Sequence, residues 1–176
     1  MAMFGKALGN GYGITATIGR REIMEAAQST FISSTFWTER IGPTAGLKTL
    51  EVMEQMKSWE IITKTGLNIR DGWQKLAEKH QLNIEHWGLP ALTGYTFKSN
   101  NALAYKTYIT QEMLKKGYLV GNCVYVCTEH SPEILAGFFE ALDPLFSIVK
   151  ECETKEADIC KLLDGPICHG GFKRLN

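Results

Sequence analysis

The sequence lacks an excess of charge of one sign. Its 176 residues include 19 basic and 19 acidic side chains, which balance to a net charge of zero at pH 7. Proteins that bind nucleic acid or an anionic membrane surface need a positive patch that attracts phosphate groups. We therefore predict no nucleic-acid partner and no membrane partner.

Long hydrophobic runs are also missing. No stretch of the sequence approaches the ~18 consecutive apolar residues that a membrane-spanning helix requires. The first residues have no basic region followed by an apolar segment, so we do not expect a secretion signal there. Internal repeats and low-complexity stretches do not occur, and the length suits one domain or slightly more.

Cysteine is present in a pattern that is typical of neither disulfides nor metal sites. The chain has five cysteines, an odd number without a paired framework, which favours a reducing cytoplasm. Cys123 and Cys127 are separated by three residues, and Cys152, Cys160 and Cys168 are widely spaced. None of them has the C-x-x-C spacing of a zinc site. We predict a cytoplasmic protein with free thiols and no metal site.

One stretch near the start of the chain is rich in glycine and contains a single lysine. It reads FGKALGNGYG and places Lys6 beside Gly5. The GxxxxGK[ST] order of a phosphate-binding loop is absent, because Ala7 follows the lysine. Two interpretations are open from the residues alone. Lys6 is either a solvated charge in a flexible turn, or an amine in a dry site that can form a Schiff base with an aldehyde.

A second stretch is rich in hydroxyl groups. Ser33, Ser34 and Thr35 form a cluster of small hydrogen-bond donors that could bind an anionic oxygen. An ordinary serine- and threonine-rich turn is the alternative that composition favours.

The spacing of apolar residues predicts a mixed α/β chain whose second part is a small α+β layer. Side chains of Tyr95 and Phe97 are predicted on one face of a strand, and Ser131-Pro132-Glu133 is predicted to start a helix. Leu103, Ile109, Met113, Leu114 and Ile134 are predicted core residues. Strands are predicted at 1–4, 14–19, 83–87, 91–97, 118–120 and 124–126, with a bend at Gly121-Asn122, and helices at 20–28, 44–63, 67–80, 102–116, 131–149 and 152–163, with a break at Gly66.

Three segments resemble one known family. Residues 1–20 (MAMFGKALGNGYGITATIGR) resemble the segment around the cofactor-binding lysine of class III pyridoxal-phosphate (PLP) aminotransferases, and residues 33–40 (SSTFWTER) resemble their phosphate-contacting threonine loop. The end of the chain, from Leu163 to Asn176, is similar to the glutamate-1-semialdehyde 2,1-aminomutase-like branch. The resemblance runs the whole length of the chain but covers only the C-terminal two fifths, roughly, of such an enzyme.

The resemblance implies a fold and two site residues. The chain would be the C-terminal part of a fold-type I PLP-dependent transferase, with 1–64 ending the large cofactor domain and its connecting helix, and 65–176 forming the small α+β domain. Lys6 would be the catalytic, cofactor-binding lysine that forms the Schiff base. Thr35 would bind the phosphate of the partner subunit's cofactor, which implies a homodimer. Residues 38–40 (TER) stand where the commoner family loop has Gly-Asn-Pro.

The resemblance also implies an activity, the transfer of an amino group on a small amino acid or amino ketone. Residues that the family places before the lysine are not in this sequence, so we expect the chain alone to be inactive. A non-catalytic dimerisation or binding module is the alternative, followed by an unrelated α/β domain. Arg20, Arg21 and Arg40 are candidate substrate-carboxylate partners or ordinary surface ion pairs. The resemblance leaves aminomutase and aminotransferase open as alternative activities.

Overall fold

A computed structural model describes residues 1–36 and 38–171 of the chain. Trp37 and the last segment of the resemblance, 172–176, lie outside the described residues. The chain forms two compact units, Met1–Ser58 and Trp59–Asn176. We describe each unit by itself; their assignment to the large and small domains of a longer enzyme stays a prediction.

The first unit contains a short hairpin and one long helix. Strand β1 (Ala2–Phe4) pairs antiparallel with β2 (Ala16–Ile18), and Met3 lies opposite Thr17. A 3₁₀ turn at Lys6–Leu8 lies between the two strands, and helix α1 (Arg21–Met24) continues as a 3₁₀ turn at Glu25–Ser29. Helix α2 (Ile41–Met56) follows the hydroxyl-rich loop.

Large apolar side chains of the first unit are mostly exposed to solvent. Phe31 is 94% exposed, Met3 81% and Leu47 72%. All the fully buried large apolar side chains among the described residues belong to the second unit. The first unit therefore gains little of the hydrophobic stabilisation that an independent domain needs.

The second unit is a three-stranded antiparallel sheet packed against helices. Its sheet order is β3-β4-β5, and Trp87 lies opposite Gly94, which in turn lies opposite Cys123. The elements are helix α3 (Ser58–Lys79, whose first residue falls in the first unit), strand β3 (Ile84–Leu89), strand β4 (Leu92–Phe97), helix α4 (Ala102–Lys115), strand β5 (Cys123–Tyr125) and helix α5 (Pro132–Glu153), followed by a 3₁₀ turn at Ile159–Leu162.

An aromatic cluster forms the centre of this unit. Tyr95 and Phe97 lie on one face of β4, as predicted. This face points into the core, where both side chains are almost fully buried. The Tyr95 ring lies 4.8 Å from that of Trp73, and the Phe97 ring lies 5.6 Å from that of Tyr105 and 5.3 Å from that of Phe146, measured between centroids. Burial of each such side chain stabilises the fold by about 1.5–3 kcal/mol.

The boundary between helices α2 and α3 differs from the prediction. The expected break at Gly66 is wrong, because α3 runs without interruption from Ser58 to Lys79. The chain breaks instead at Lys57, whose backbone is left-handed with φ of 48°. A Cβ atom at Gly66 would lie 1.9 Å from the carbonyl oxygen of Pro90. Glycine is therefore needed there for close approach to a neighbouring loop.

Two further segments differ from the prediction. Residues 118–120 are not a strand, because Tyr118 N–H bonds the carbonyl oxygen of Met113 at 2.9 Å and closes the end of helix α4. Only Cys123–Tyr125 forms a strand, so the proposed pair of strands around Gly121-Asn122 is wrong. The predicted helix at 152–163 is also wrong: α5 ends at Glu153, an irregular segment follows, and a short 3₁₀ turn covers only Ile159–Leu162.

The start of helix α5 was predicted correctly, whereas several core positions were not. Ser131 caps α5 by accepting a hydrogen bond from Ile134 N–H at 3.3 Å, which confirms the predicted helix start. Ile109 and Met113 are buried, but Leu103, Leu114 and Ile134 are 42%, 58% and 50% exposed. Their placement in the core was wrong, because helical spacing alone does not tell which flank of an apolar stripe meets the sheet.

Candidate functional site

The Lys6 turn connects the two strands of the hairpin. Lys6 has a left-handed backbone with φ of 50°, which is uncommon for a residue with a side chain. Its carbonyl oxygen accepts hydrogen bonds from Gly9 N–H at 3.2 Å and Asn10 N–H at 3.3 Å. The Lys6 side chain is exposed, so this chain by itself does not enclose the dry site that the sequence suggested.

Close backbone contacts define the shape of this turn. Gly9 is buried, and a Cβ atom there would lie 2.0 Å from the carbonyl oxygen of Tyr12. Tyr12 N–H donates to the carbonyl oxygen of Gly9 at 3.1 Å. Because no side chain fits between these backbone segments, glycine at position 9 is required for the turn to fold back on itself.

Helix α2 packs its first turns directly on the Lys6 turn. Gly42 and Gly46 are one helical turn apart and are both buried. A Cβ atom at Gly42 would lie 2.7 Å from the carbonyl oxygen of Gly13, and one at Gly46 would lie 3.6 Å from that of Leu8. The pair of glycines lets the helix backbone approach the turn that carries Lys6.

The hydroxyl-rich loop precedes helix α2. Thr35 is exposed, and Ser34 Oγ accepts a hydrogen bond from Phe36 N–H at 3.2 Å. The Ser34 hydroxyl is thus already used inside the loop, whereas Thr35 presents its side chain to solvent. The structure places Thr35 and Lys6 in the same unit of one chain. Contact between Thr35 and a second copy of the chain stays a prediction.

Glu39 has a role that the sequence analysis missed. Its carboxylate accepts hydrogen bonds from the backbone N–H groups of Ile41 and Gly42, the latter at 3.0 Å. These are donors at the start of α2, which have no partner within the helix. The negative charge also lies at the positive end of the helix dipole. An acidic residue just before a predicted helix was the available signal, but the start was placed later, at residue 44.

The described residues contain no candidate metal centre. No group of three or more histidine, cysteine, aspartate or glutamate side chains among residues 1–36 and 38–171 is close enough to hold a metal ion. In the same residues, no helix combines the length and apolar character needed to cross a bilayer. All five cysteines are free thiols.

Comparison with protein families identifies the family of the chain. The profile of the family described as "Aminotransferase class-III" matches residues 1–132, which include both the Lys6 turn and the Thr35 loop. The chain belongs to the class-III aminotransferase family. This confirms the family that the sequence resemblance indicated.

Individual relatives of this class-III aminotransferase chain cover most of its length. The 3-aminobutyryl-CoA aminotransferase of Cloacimonas acidaminovorans (strain Evry) is 31% identical over 160 residues, which are 86% of this chain and 38% of that protein. The glutamate-1-semialdehyde 2,1-aminomutase of Methanocaldococcus jannaschii is 25% identical over 163 residues, covering 83% of this chain and 38% of the aminomutase. The chain therefore spans about two fifths of the length of these curated relatives.

Solved transaminase structures share the fold. The PLP internal aldimine form of the FumI protein of Sphingopyxis sp. MTA144 superposes with a TM-score of 0.76 at 22% identity, covering 92% of this chain and 39% of that one. An omega-transaminase from Sphaerobacter thermophilus gives a TM-score of 0.72 at 15% identity, covering 82% and 37%. These likenesses confirm the predicted fold class, an α/β arrangement that forms part of a fold-type I transferase.

Proposed function

We propose that this chain is the C-terminal portion of a PLP-dependent aminotransferase or aminomutase, in which Lys6 holds the cofactor. The observation that carries this proposal is the conformation of Lys6. Asn10, in the same loop, also has positive φ, which asparagine tolerates better than most residues. Lys57, Gln81 and Lys155 have positive φ as well, but each follows the end of a helix, where a left-handed residue is common. Lys6 instead adopts it right after a strand, in a turn against which helix α2 packs. Such local strain is characteristic of functional positions.

The residues present fit the cofactor in part. PLP, when bound, supplies an aldehyde that joins a primary amine and a ring that accepts an electron pair from the substrate. The exposed Lys6 amine is accessible to such an aldehyde, and its Nζ would carry a proton to and from the reacting carbon. The Thr35 hydroxyl would donate a hydrogen bond to a phosphate oxygen.

The rest of the site would come from outside this chain. Lys6 and Thr35 are both exposed here, so water is not excluded from either group. An amine and a charged phosphate need a dry, pre-organised site for efficient catalysis. We therefore expect no turnover from the 176 residues alone, and we place the longer protein in the cytoplasm, where its five thiols stay reduced.

Reductive labelling tests the assignment of Lys6. A longer protein that contains this chain would be incubated with PLP, reduced with borohydride and mapped by mass spectrometry. We expect the phosphopyridoxyl group at Lys6, its loss in Lys6→Gln and its retention in Lys48→Gln, which removes an exposed lysine on helix α2. Labelling spread evenly over the surface lysines, or retained in Lys6→Gln, would overturn the assignment.

Subunit mixing tests the proposed homodimer and the role of Thr35. If Thr35 serves the partner's cofactor, a mixed dimer of one Lys6→Ala subunit and one Thr35→Val subunit keeps one complete site. If Thr35 serves its own subunit's cofactor, the same mixed dimer has no complete site. We expect transaminase activity to reappear when the two variants are mixed. Thr38→Val is the control for Thr35→Val, and we expect it to be active before mixing.

The exposed apolar surface of the first unit favours a second candidate function. A chain that keeps Phe31 and Phe36 94% and 73% exposed could serve as a non-catalytic dimerisation module. A longer protein that forms stable dimers but is not labelled at Lys6 would support this second function, a non-catalytic dimerisation module. Labelling at Lys6 with transfer of an amino group from a small amino acid or amino ketone would exclude it.

A further inference from the structure

We propose that an apolar pocket in the second unit binds a small uncharged molecule with an aliphatic body and a carbonyl oxygen. The pocket has a volume of about 290 Å³ and lies between helices α3 and α5, strand β5 and the segment after α4. Its walls include Ile69, Val124, Leu135 and Phe138. Ligand sites are typically concave, mostly apolar and equipped with a few polar groups.

The floor of the pocket is buried and closely packed, and its rim is apolar. Ile69 is fully buried, and the Phe138 ring packs edge-on against Tyr118 with centroids 5.9 Å apart. At the rim, Leu119 and Tyr125 are 92% and 73% exposed. An aliphatic group that enters the pocket would remove this rim from water, which is favourable at roughly 25 cal/mol per Å² of apolar surface.

His130 supplies a defined hydrogen-bond donor. Its Nδ1 accepts a hydrogen bond from Cys127 N–H at 3.2 Å. A ring nitrogen that accepts carries no proton, so the neutral ring has its proton on Nε2. His130 lines the pocket and is half-buried. The donor that it offers to a ligand is therefore Nε2–H, which pairs with an oxygen acceptor.

The lining of the pocket favours a neutral acceptor over a carboxylate, because among the described residues it includes no lysine or arginine. Glu129 and Glu133 are exposed on either side of Ser131, close in sequence to His130. The start of helix α5 is already satisfied, because Ser131 accepts from Ile134 N–H through Oγ and from Leu135 N–H through its carbonyl oxygen. Since this described lining offers no cationic side chain and Ser131 already occupies these two N–H groups, a ligand anion would gain little compensation for desolvation.

Two matched probes test the proposal on the 176-residue chain. Hexanamide and hexanoate have the same aliphatic chain and differ in the charge of the head group. We expect hexanamide to shift the methyl NMR signals of Val124 and Leu135 saturably, and hexanoate to bind at least several-fold more weakly. Equal binding of the two probes, or shifts that do not saturate, would overturn the proposal.

Variants locate the binding and test the donor. Leu135→Phe fills the pocket and should abolish the shift at Val124, whereas Leu114→Phe, the same change at an exposed site outside the pocket, should retain it. His130→Phe removes the donor and should weaken the binding of hexanamide by about two- to tenfold. His130→Gln keeps an N–H group and should retain most of the affinity that His130→Phe loses.

Circular dichroism must show native folding for each variant. Binding retained in Leu135→Phe, or equal in the two His130 variants, contradicts the assignment. None of these measurements involves PLP or Lys6, so their outcome is independent of the proposed function.

Discussion

The backbone of Gly42 lies against the carbonyl oxygen of Gly13, so closely that a Cβ atom at position 42 would be 2.7 Å from it. This contact joins helix α2 to the turn that carries Lys6. Real Cβ atoms almost never approach a backbone oxygen this closely, and neither backbone can move without shifting its element. The position of the Lys6 turn therefore depends on the presence of glycine, which has no side chain, at position 42 of helix α2.

Replacing Gly42 by alanine should displace the Lys6 turn. We expect the Gly42→Ala chain to lose about 1–3 kcal/mol of stability from overpacking, and the amides of residues 8–14 to exchange faster with solvent. Hydrogen exchange measured by NMR checks this. Gly13→Ala is the matched control, because a Cβ atom there meets no atom of the described part of the chain within 4 Å. Equal exchange in the two variants would contradict the proposed contact.

Removing the Glu39 carboxylate should fray the start of helix α2. Glu39→Ala leaves the N–H groups of Ile41 and Gly42 without their acceptor, which we expect to cost about 1 kcal/mol. The amide protons of these two residues should exchange faster than in the unchanged chain. Glu54→Ala removes an exposed acidic residue from the same helix and should leave their exchange unchanged.

The Asp143 carboxylate should make the second unit sensitive to acid. Its Oδ1 lies 2.6 Å from His80 Nε2 and its Oδ2 lies 2.5 Å from Lys79 Nζ, which joins the end of α3 to α5. Hydrogen bonds from Lys79 and then His80 lower the pKa of Asp143 below its ordinary value of 3.8. A lowered carboxyl pKa adds stability above the unfolded pKa, and this is lost as the pH falls through the folded pKa.

Thermal unfolding measured between pH 2 and pH 7 checks this contribution. Asp143→Asn should lower the free energy of unfolding by about 1 kcal/mol at pH 7, since the carboxylate is partly screened by water. The difference between the two proteins should shrink below pH 4. Glu140→Gln, on the same helix, should show no such difference, and an Asp143→Asn effect that is constant down to pH 2 would exclude the linkage.

His86 should make the second unit less stable in mild acid. Both its ring nitrogens are buried and have no partner in hydrogen-bond geometry among residues 1–36 and 38–171, and its ring stacks on Trp73 at 6.3 Å between centroids. Burial, and next the positive charge of Arg70, lower the pKa of His86 below 6.5, while the backbone of Gly94 offsets a part of this. The unfolded chain then binds a proton that the folded chain rejects, so stability falls as the pH drops below 6.5.

A phenylalanine at position 86 keeps the stack on Trp73 and removes the titrating group. We expect His86→Phe to be more stable than the unchanged chain at pH 5 and to lose less stability between pH 7 and pH 5. Chemical denaturation at the two pH values measures this difference. His169→Phe, at an exposed histidine, is the control and should leave the pH dependence unchanged.

Local signals predicted most of the elements of the fold. The helix start at Ser131-Pro132-Glu133 and the inward face of β4 follow from a side-chain cap and from alternation, which act within a few residues. The predicted break at Gly66 was wrong because this glycine is needed for close approach to the backbone of Pro90, which is distant in sequence. The placement of Leu103 and Leu114 in the core was wrong because burial depends on which neighbour covers each flank of a helix.

The candidate site also has some features that the sequence predicted and others that only the structure showed. By itself the sequence determined the family and the strand–turn–strand arrangement around Lys6, because these depend on residue identities and short-range backbone preferences. It also led to the prediction of Lys6 and Thr35 as site residues, which stays a prediction. Only the tertiary structure decided that Gly42 and Gly46 bring helix α2 onto the Lys6 turn, that Glu39 caps this helix, and that Lys6 is exposed in this chain. Each of these depends on the distance between atoms of different elements, which packing sets and sequence spacing does not.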